Sequence, residues 1–223
     1  ARFDVIDARE RGEWAPSSET GLLIFDTLSG RMHPRMACAA LVAALQSKGC
    51  EVVAEAKPAG IIVEATGWRG LLALSEQMSQ PVGNGVKGQG AVLEYRAAPD
   101  APQLFADAIH IIPHQDGTTG VGSTSEREFT DPVSTDNLLD DVVERAMTLV
   151  PALRGAKVIE RWAGLRPRTQ SRRPLLGAHP LHDGQFIANG GFKIGFGVAP
   201  KVGQVMADLA LDGENTIPAA FQA

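Results

Sequence analysis

Cysteine is scarce. Cys38 and Cys50 are the only two in 223 residues, too few for a disulfide framework in a chain of this length, and they read as reduced, semi-buried thiols with a cytoplasmic location by default. Long apolar runs are missing as well. None approaches the roughly 18 residues needed to span a bilayer, so no membrane span is expected. The opening Ala-Arg-Phe-Asp has no basic stretch followed by an apolar one, which argues against a signal peptide. It also lacks an initiator Met, which suggests that these residues continue something upstream.

Several catalytic signatures are absent too. There is no Gly-x-Ser-x-Gly elbow, and neither cysteine sits in a reactive-looking context. His110 and His114 lie four apart on an expected strand, but the sequence places no third ligand beside them. His179 and His182 fall in a loop. No metal is expected. No residue identifies itself as a general base, an absence that fits a reaction whose hard chemistry belongs to a cofactor.

Net charge is −5, yet residues 154–173 carry six Arg and one Lys against Glu160 alone. The arginines alternate with Trp162, Leu165 and Pro167 inside an acidic protein, which favours a focused site for a small anion over a nucleic-acid footprint. Glycine, 24 of 223 residues, exceeds the usual share of about 7%, and much of the excess lies between Gly177 and Gly213.

The expected fold class is mixed α/β, with one domain or one domain plus a smaller appendage. Residues 1–20 read as irregular. Residues 22–25 form a short strand. A helix follows to about Lys48, with Pro34 in its first turn and Gly49 as its C-terminal stop. Strands are expected at 51–56 and 61–67, giving a strand–helix–strand order. The second of these, ending Ala-Thr-Gly, reads either as a parallel strand whose carboxyl end approaches a ligand or as a strand entering an ordinary turn.

The middle reads as antiparallel. Residues 86–96 form a strand, and strands at 104–113 and 118–125 flank the turn His114-Gln115-Asp116-Gly117. Ser134-Thr135-Asp136 caps a helix that Pro151 stops. Strands at 157–165 and 185–188 precede a closing helix from Ile194 to about Leu211.

Two features carry chemistry. Arg166, placed at the end of an apolar strand, offers a planar fork suited to a carboxylate; a structural ion pair, for instance with Glu160, fits it equally well. The turn Gly190-Gly191-Phe192-Lys193-Ile194-Gly195-Phe196-Gly197 aims bare N–H groups and a helix dipole at whatever lies in front of it. Its spacing is not that of a mononucleotide-binding loop.

The segments Trp162-Ala163-Gly164-Leu165-Arg166-Pro167-Arg168-Thr169, Pro174-Leu175-Leu176-Gly177, Gly190-Gly191-Phe192-Lys193-Ile194-Gly195 and Ala199-Pro200-Lys201-Val202-Gly203 together resemble the C-terminal half of the FAD-dependent D-amino-acid oxidase and glycine oxidase family. Met32-His33-Pro34, the 62–67 strand and the hairpin fall in the family's order. The resemblance covers roughly residues 20–215. It implies an FAD domain, here residues 21–75 and 177–215, interleaved with an antiparallel-sheet substrate domain at 76–176. It also implies oxidation of a small-molecule amino acid or amine to the imine by hydride transfer to flavin, in a protein that could form a homo-oligomer.

In that reading Arg166 holds the substrate carboxylate. Lys193 stands where glycine oxidases carry a second arginine, and His110 where relatives often place a tyrosine. Thr66, Gly67, Gly191, Phe192, Ile194, Gly195, Phe196, Gly197 and Val198 contact the cofactor, with the last four against its pyrimidine ring. Gly190-Gly191 replaces the family's Gly-His. The family's opening βαβ unit with Gly-x-Gly-x-x-Gly has no counterpart in these residues. The alternative is therefore an accessory or binding fragment of the same fold that cannot hold FAD by itself.

Overall fold

The computed structural model describes residues 1–223, the side chain of Arg11 excepted. In chain order the elements are β1 (Phe3–Asp7), β2 (Leu22–Asp26), α1 (Pro34–Ser47), β3 (Ile62–Glu64) and α2 (Gly67–Gln77). They continue with β4 (Gly83–Glu94), β5 (Leu104–Ala106), β6 (Ile109–Pro113), β7 (Thr119–Gly122) and α3 (Asn137–Leu149). The last are β8 (Lys157–Thr169), β9 (Leu175–Ala178), β10 (Gln185–Asn189) and α4 (Gly195–Ala207). The result is mixed α/β with antiparallel sheets, as expected. No helix among the described residues is long and apolar enough to cross a membrane.

The chain divides into two compact units. The first comprises Ala1–Ala54, Gly88–Ser125 and Val133–Ala163, and the second Glu55–Lys87, Glu126–Pro132 and Gly164–Ala223. A five-stranded sheet runs in the order β5-β6-β7-β4-β8. The division passes through its two long strands, β4 and β8.

In the first unit, α3 lays Leu139, Val142, Val143 and Ala146 onto a core with Leu93, Ile109, Ile111 and Val121 from the sheet. Side chains alternate across a strand, so Ile109 and Ile111 share one face. The N-terminus of α3 is fastened by Asp136, whose carboxylate accepts from Leu138 N at 3.0 Å and from Gln89 Nε2 at 2.8 Å. Gln89 is fully buried, and its amide oxygen accepts from Asp136 N at 2.9 Å. Residues 1–20, expected to be irregular, contain β1, which pairs antiparallel with β2. They also contain a 3₁₀ segment ending at Trp14. That indole donates to Pro102 O at 2.9 Å and stacks on Tyr95. α1 forms as expected but buries no residue, so Cys38 and Cys50 are exposed rather than semi-buried.

Three expected strands differ in the structure. Residues 51–56 form no strand and are exposed. The expected 104–113 strand is two strands, β5 and β6, turned through Asp107 and Ala108 at φ 48° and 59°. β8 does not stop at Leu165 but runs on to Thr169. It can carry Pro167 because it is the edge strand of its sheet, where a missing N–H costs no ladder bond.

In the second unit, β3 pairs parallel with β10, which pairs antiparallel with β9. Leu176, Val205, Met206 and Ile217 form its core with part-buried Phe186 and Val202. α2 was not evident from the sequence. It packs Leu71 and Leu74 inward, and Ser75 Oγ accepts from Val82 N at 2.9 Å, fixing its exit.

Candidate functional site

The second unit gathers most of the residues singled out from the sequence. β3 ends just before Thr66-Gly67, and β10 ends at Asn189, just before the glycine turn. Because the two strands run parallel, their carboxyl ends lie side by side, the position where open α/β sheets receive ligands. Asn189 joins the two ends. Its Nδ2 donates to Gly67 O at 2.9 Å, and its Oδ1 accepts from Gly190 N at 2.7 Å. Gly67 opens α2 at φ 65°, and Gly190 turns at φ 75°, left-handed conformations that favour glycine.

The turn leads into α4. Ile194 N bonds Gly191 O at 3.0 Å, and Val198 N bonds Ile194 O at 3.1 Å. At Gly195 and Gly197 an added Cβ would meet open space, so the N-terminus of α4 is approachable along its bare backbone. Unpaired N–H groups and the positive end of the helix dipole favour negative charge there. A shallow, mostly apolar hollow of ≈ 220 Å³ runs past Ala65, Gly67, Pro167, Gly191, Gly195 and Val198. A Cβ at Gly70 would fall 1.7 Å from Thr66 Oγ1; Thr66 is seated because position 70 is bare.

Arg166 lies within β8 rather than at its end, and it is half-buried. Its Nη1 makes a long, 3.5 Å contact with Lys87 O. Burial holds the guanidinium below the usual arginine range, and the nearby Glu126 carboxylate opposes that shift. Glu160, the ion-pair partner considered from sequence, instead binds Arg35. The next residue, Pro167, accepts a hydrogen bond from Phe192 N at 3.1 Å. The strand that carries Arg166 is thereby tied directly to the glycine turn.

Two participants were not foreseen. Lys87 is buried, and its Nζ stands 3.8 Å from Glu126 Oε2, with Lys87 N and Glu126 N each donating to the other's carbonyl at 2.9 Å. Asn189 was also missed, though an Asn immediately before a Gly-Gly pair is a local turn signal. Lys193 is exposed, with its ammonium 5.7 Å from the Phe192 ring centroid. Ile194 and Phe196 are exposed at the same helix start. His110 belongs to the first unit, on β6, where its ring lies against Phe105 with centroids 4.6 Å apart.

Residues 2–209 match the family model for FAD-dependent oxidoreductases of the DAO type. The chain belongs to this FAD-dependent oxidoreductase family. Within it, a glycine oxidase from Pseudomonas putida is 33% identical over 162 residues, covering 72% of this chain and 44% of that protein. The chain thus spans less than half the length of that relative. The glycine oxidase structure from Geobacillus kaustophilus superposes with a TM-score of 0.64 at 26% identity, covering 73% of this chain and 44% of the other. Iminodiacetate oxidase from Chelativorans sp. BNC1 shares the fold over 100% of this chain and 67% of its own, with a TM-score of 0.85 at 21% identity.

The cofactor of this FAD-dependent oxidoreductase family is FAD, and the second unit suits part of it. Bare backbone at Gly67, Gly191 and Gly195, a positive helix end and an apolar wall meet along one hollow. The Phe192–Pro167 bond sets the strand that bears Arg166 against this hollow.

Proposed function

We propose that this chain provides the carboxylate-binding and flavin-facing residues for the FAD-dependent oxidation of a small amino acid or amine to its imine. One observation carries the reading: β8, which bears a half-buried arginine, is hydrogen-bonded to the glycine turn that opens α4. The 33% identity to a glycine oxidase supports an amino acid as the substrate.

In this reading Arg166 grips the substrate carboxylate with its fork. Its partial burial strengthens the attraction, because less water screens the pair. Lys193, exposed on the turn, adds a second positive charge on the approach. For His110, on β6, the family resemblance is what supports a substrate-side role. Thr66, Gly67, Gly191, Phe192, Ile194, Gly195, Phe196, Gly197 and Val198 would hold FAD. The N–H groups at the start of α4 stabilise negative charge there. When bound, FAD supplies the two-electron acceptor. The task of the protein groups is orientation: fixing the carboxylate at one end points the Cα–H in a single direction. Residues 21–75 and 177–215 then serve the cofactor, and residues 76–176 the substrate.

Anaerobic bleaching of the flavin-loaded protein by small amino acids tests this assignment. Arg166→Ala is expected to weaken the apparent affinity for amino acids by about 10- to 100-fold, the worth of a charge-assisted pair. A primary amine without a carboxylate should be affected far less. An unchanged affinity for amino acids would remove Arg166 from the site.

A further inference from the structure

In the first unit, the residue preceding α1 meets the β6–β7 hairpin. His33, His114 and Asp116 each present a ligand atom, and those atoms all lie within 4.8 Å of one another. The two imidazole rings are tilted at 42° with centroids 4.3 Å apart, and His33 Nε2 stands 3.6 Å from Asp116 Oδ2. We propose that His33, His114 and Asp116 form a binding site for a divalent transition metal of the zinc class, which pins the start of α1 to the hairpin.

The side chains around His114 prepare it as a ligand. Thr118 Oγ1 donates to Asp116 Oδ1 at 2.7 Å. With its proton so committed, Thr118 Oγ1 is left to accept from His114 Nδ1 at 3.0 Å. That relay places the proton on Nδ1 and leaves the Nε2 lone pair available, the arrangement in which an imidazole binds metal while its other nitrogen donates to an oxygen. The same hydroxyl and Thr118 N hold the Asp116 carboxylate.

The backbone is equally fixed. His114 N bonds Thr118 O at 2.9 Å, and Gly117 turns at φ 89°. Gly120 leaves space for the ring, since a Cβ there would lie 3.1 Å from His114 Cε1. His33 contributes a weak cap, its Nδ1 3.5 Å from Met36 N, which a modest ring rotation releases. Arg31, whose charge acts on His114, is turned onto the carbonyls of Pro99 and Ala101.

Two imidazoles and one carboxylate select Zn²⁺, Co²⁺, Ni²⁺ or Cu²⁺ over Mg²⁺ or Ca²⁺. Ligand bonds of about 2.0–2.2 Å require the three atoms to draw in to separations of roughly 3.3 Å, leaving a fourth position for water. Partly exposed side chains on a turn and at a helix start can make that movement. None of the three is among the residues assigned above to substrate or flavin.

Co²⁺ titration of the purified protein, followed by visible absorption, provides the test. The expected result is the intense bands of a four-coordinate site, saturating at one Co²⁺ per chain and displaced by Zn²⁺. His33→Asn retains a helix-capping side chain yet should weaken binding at least about tenfold, as should His114→Gln. Thr118→Val, which breaks the relay, should weaken it by about 10- to 100-fold. His182→Gln, at the separate His179–His182 pair, should change nothing. Far-UV circular dichroism without metal verifies folding of each variant, and Asp116→Asn replaces any variant that fails. Absence of the bands overturns the site. So does saturation unaffected by His33→Asn and His114→Gln, or lost in His182→Gln.

Discussion

α1 and α3 are close to equal in length, 14 and 13 residues, and both start at a side chain that caps the first turn. α3 buries Leu139, Val142, Val143 and Ala146, whereas α1 buries nothing. Its apolar residues Met36, Leu41 and Leu45 stand 55%, 64% and 46% exposed. A helical period in the sequence establishes that a helix has an apolar stripe. It does not establish that anything lies against the stripe. Most of the stability of a short helix comes from that packing rather than from its own propensity.

Substitutions can break this contrast. The largest effect is expected at Leu139, fully buried under the sheet. Leu139→Ala should cost about 3 kcal/mol through lost burial and the cavity left behind, measured by urea denaturation. Asp136→Ala should cost about 2 kcal/mol, because it removes the α3 cap and one hydrogen-bond acceptor of the buried Gln89 amide. The smallest effect belongs to α1: Leu41→Ala should stay within about 0.5 kcal/mol. A cost at Leu41 comparable to that at Leu139 would mean that α1 is covered in solution.

What the sequence revealed follows the same division. The hairpin at His114-Gln115-Asp116-Gly117, the Asp136 cap and the helical α4 were legible because each has a local chemical signature. α2 was not. It starts at Gly67 in a left-handed conformation, with no side-chain cap at Thr66 and another glycine at position 70, all of which imitate a turn. Residues 51–56 misled in the opposite way: a β-like composition in a stretch that forms no strand.

The site was partly readable. Arg166 and the glycine turn stood out as residue types, and the Thr66-Gly67 pair as a strand end. Their linkage through Phe192 and Pro167, and the Asn189 bridge, depend on chain segments far apart in sequence. Lys87 was hidden because a buried lysine inside a glycine-rich strand has no local marker.

The fit between Thr66 and Gly70 has a consequence for how this molecule can change. One occupies the space the other leaves, so the two positions carry a single shared allowance of volume. Alanine at 70 is accessible only by a route on which residue 66 has already shrunk, and a smaller residue at 66 alone opens a gap beside Asn189. Drift at this edge of the hollow must therefore come in ordered pairs, and the order of the steps matters as much as their identity.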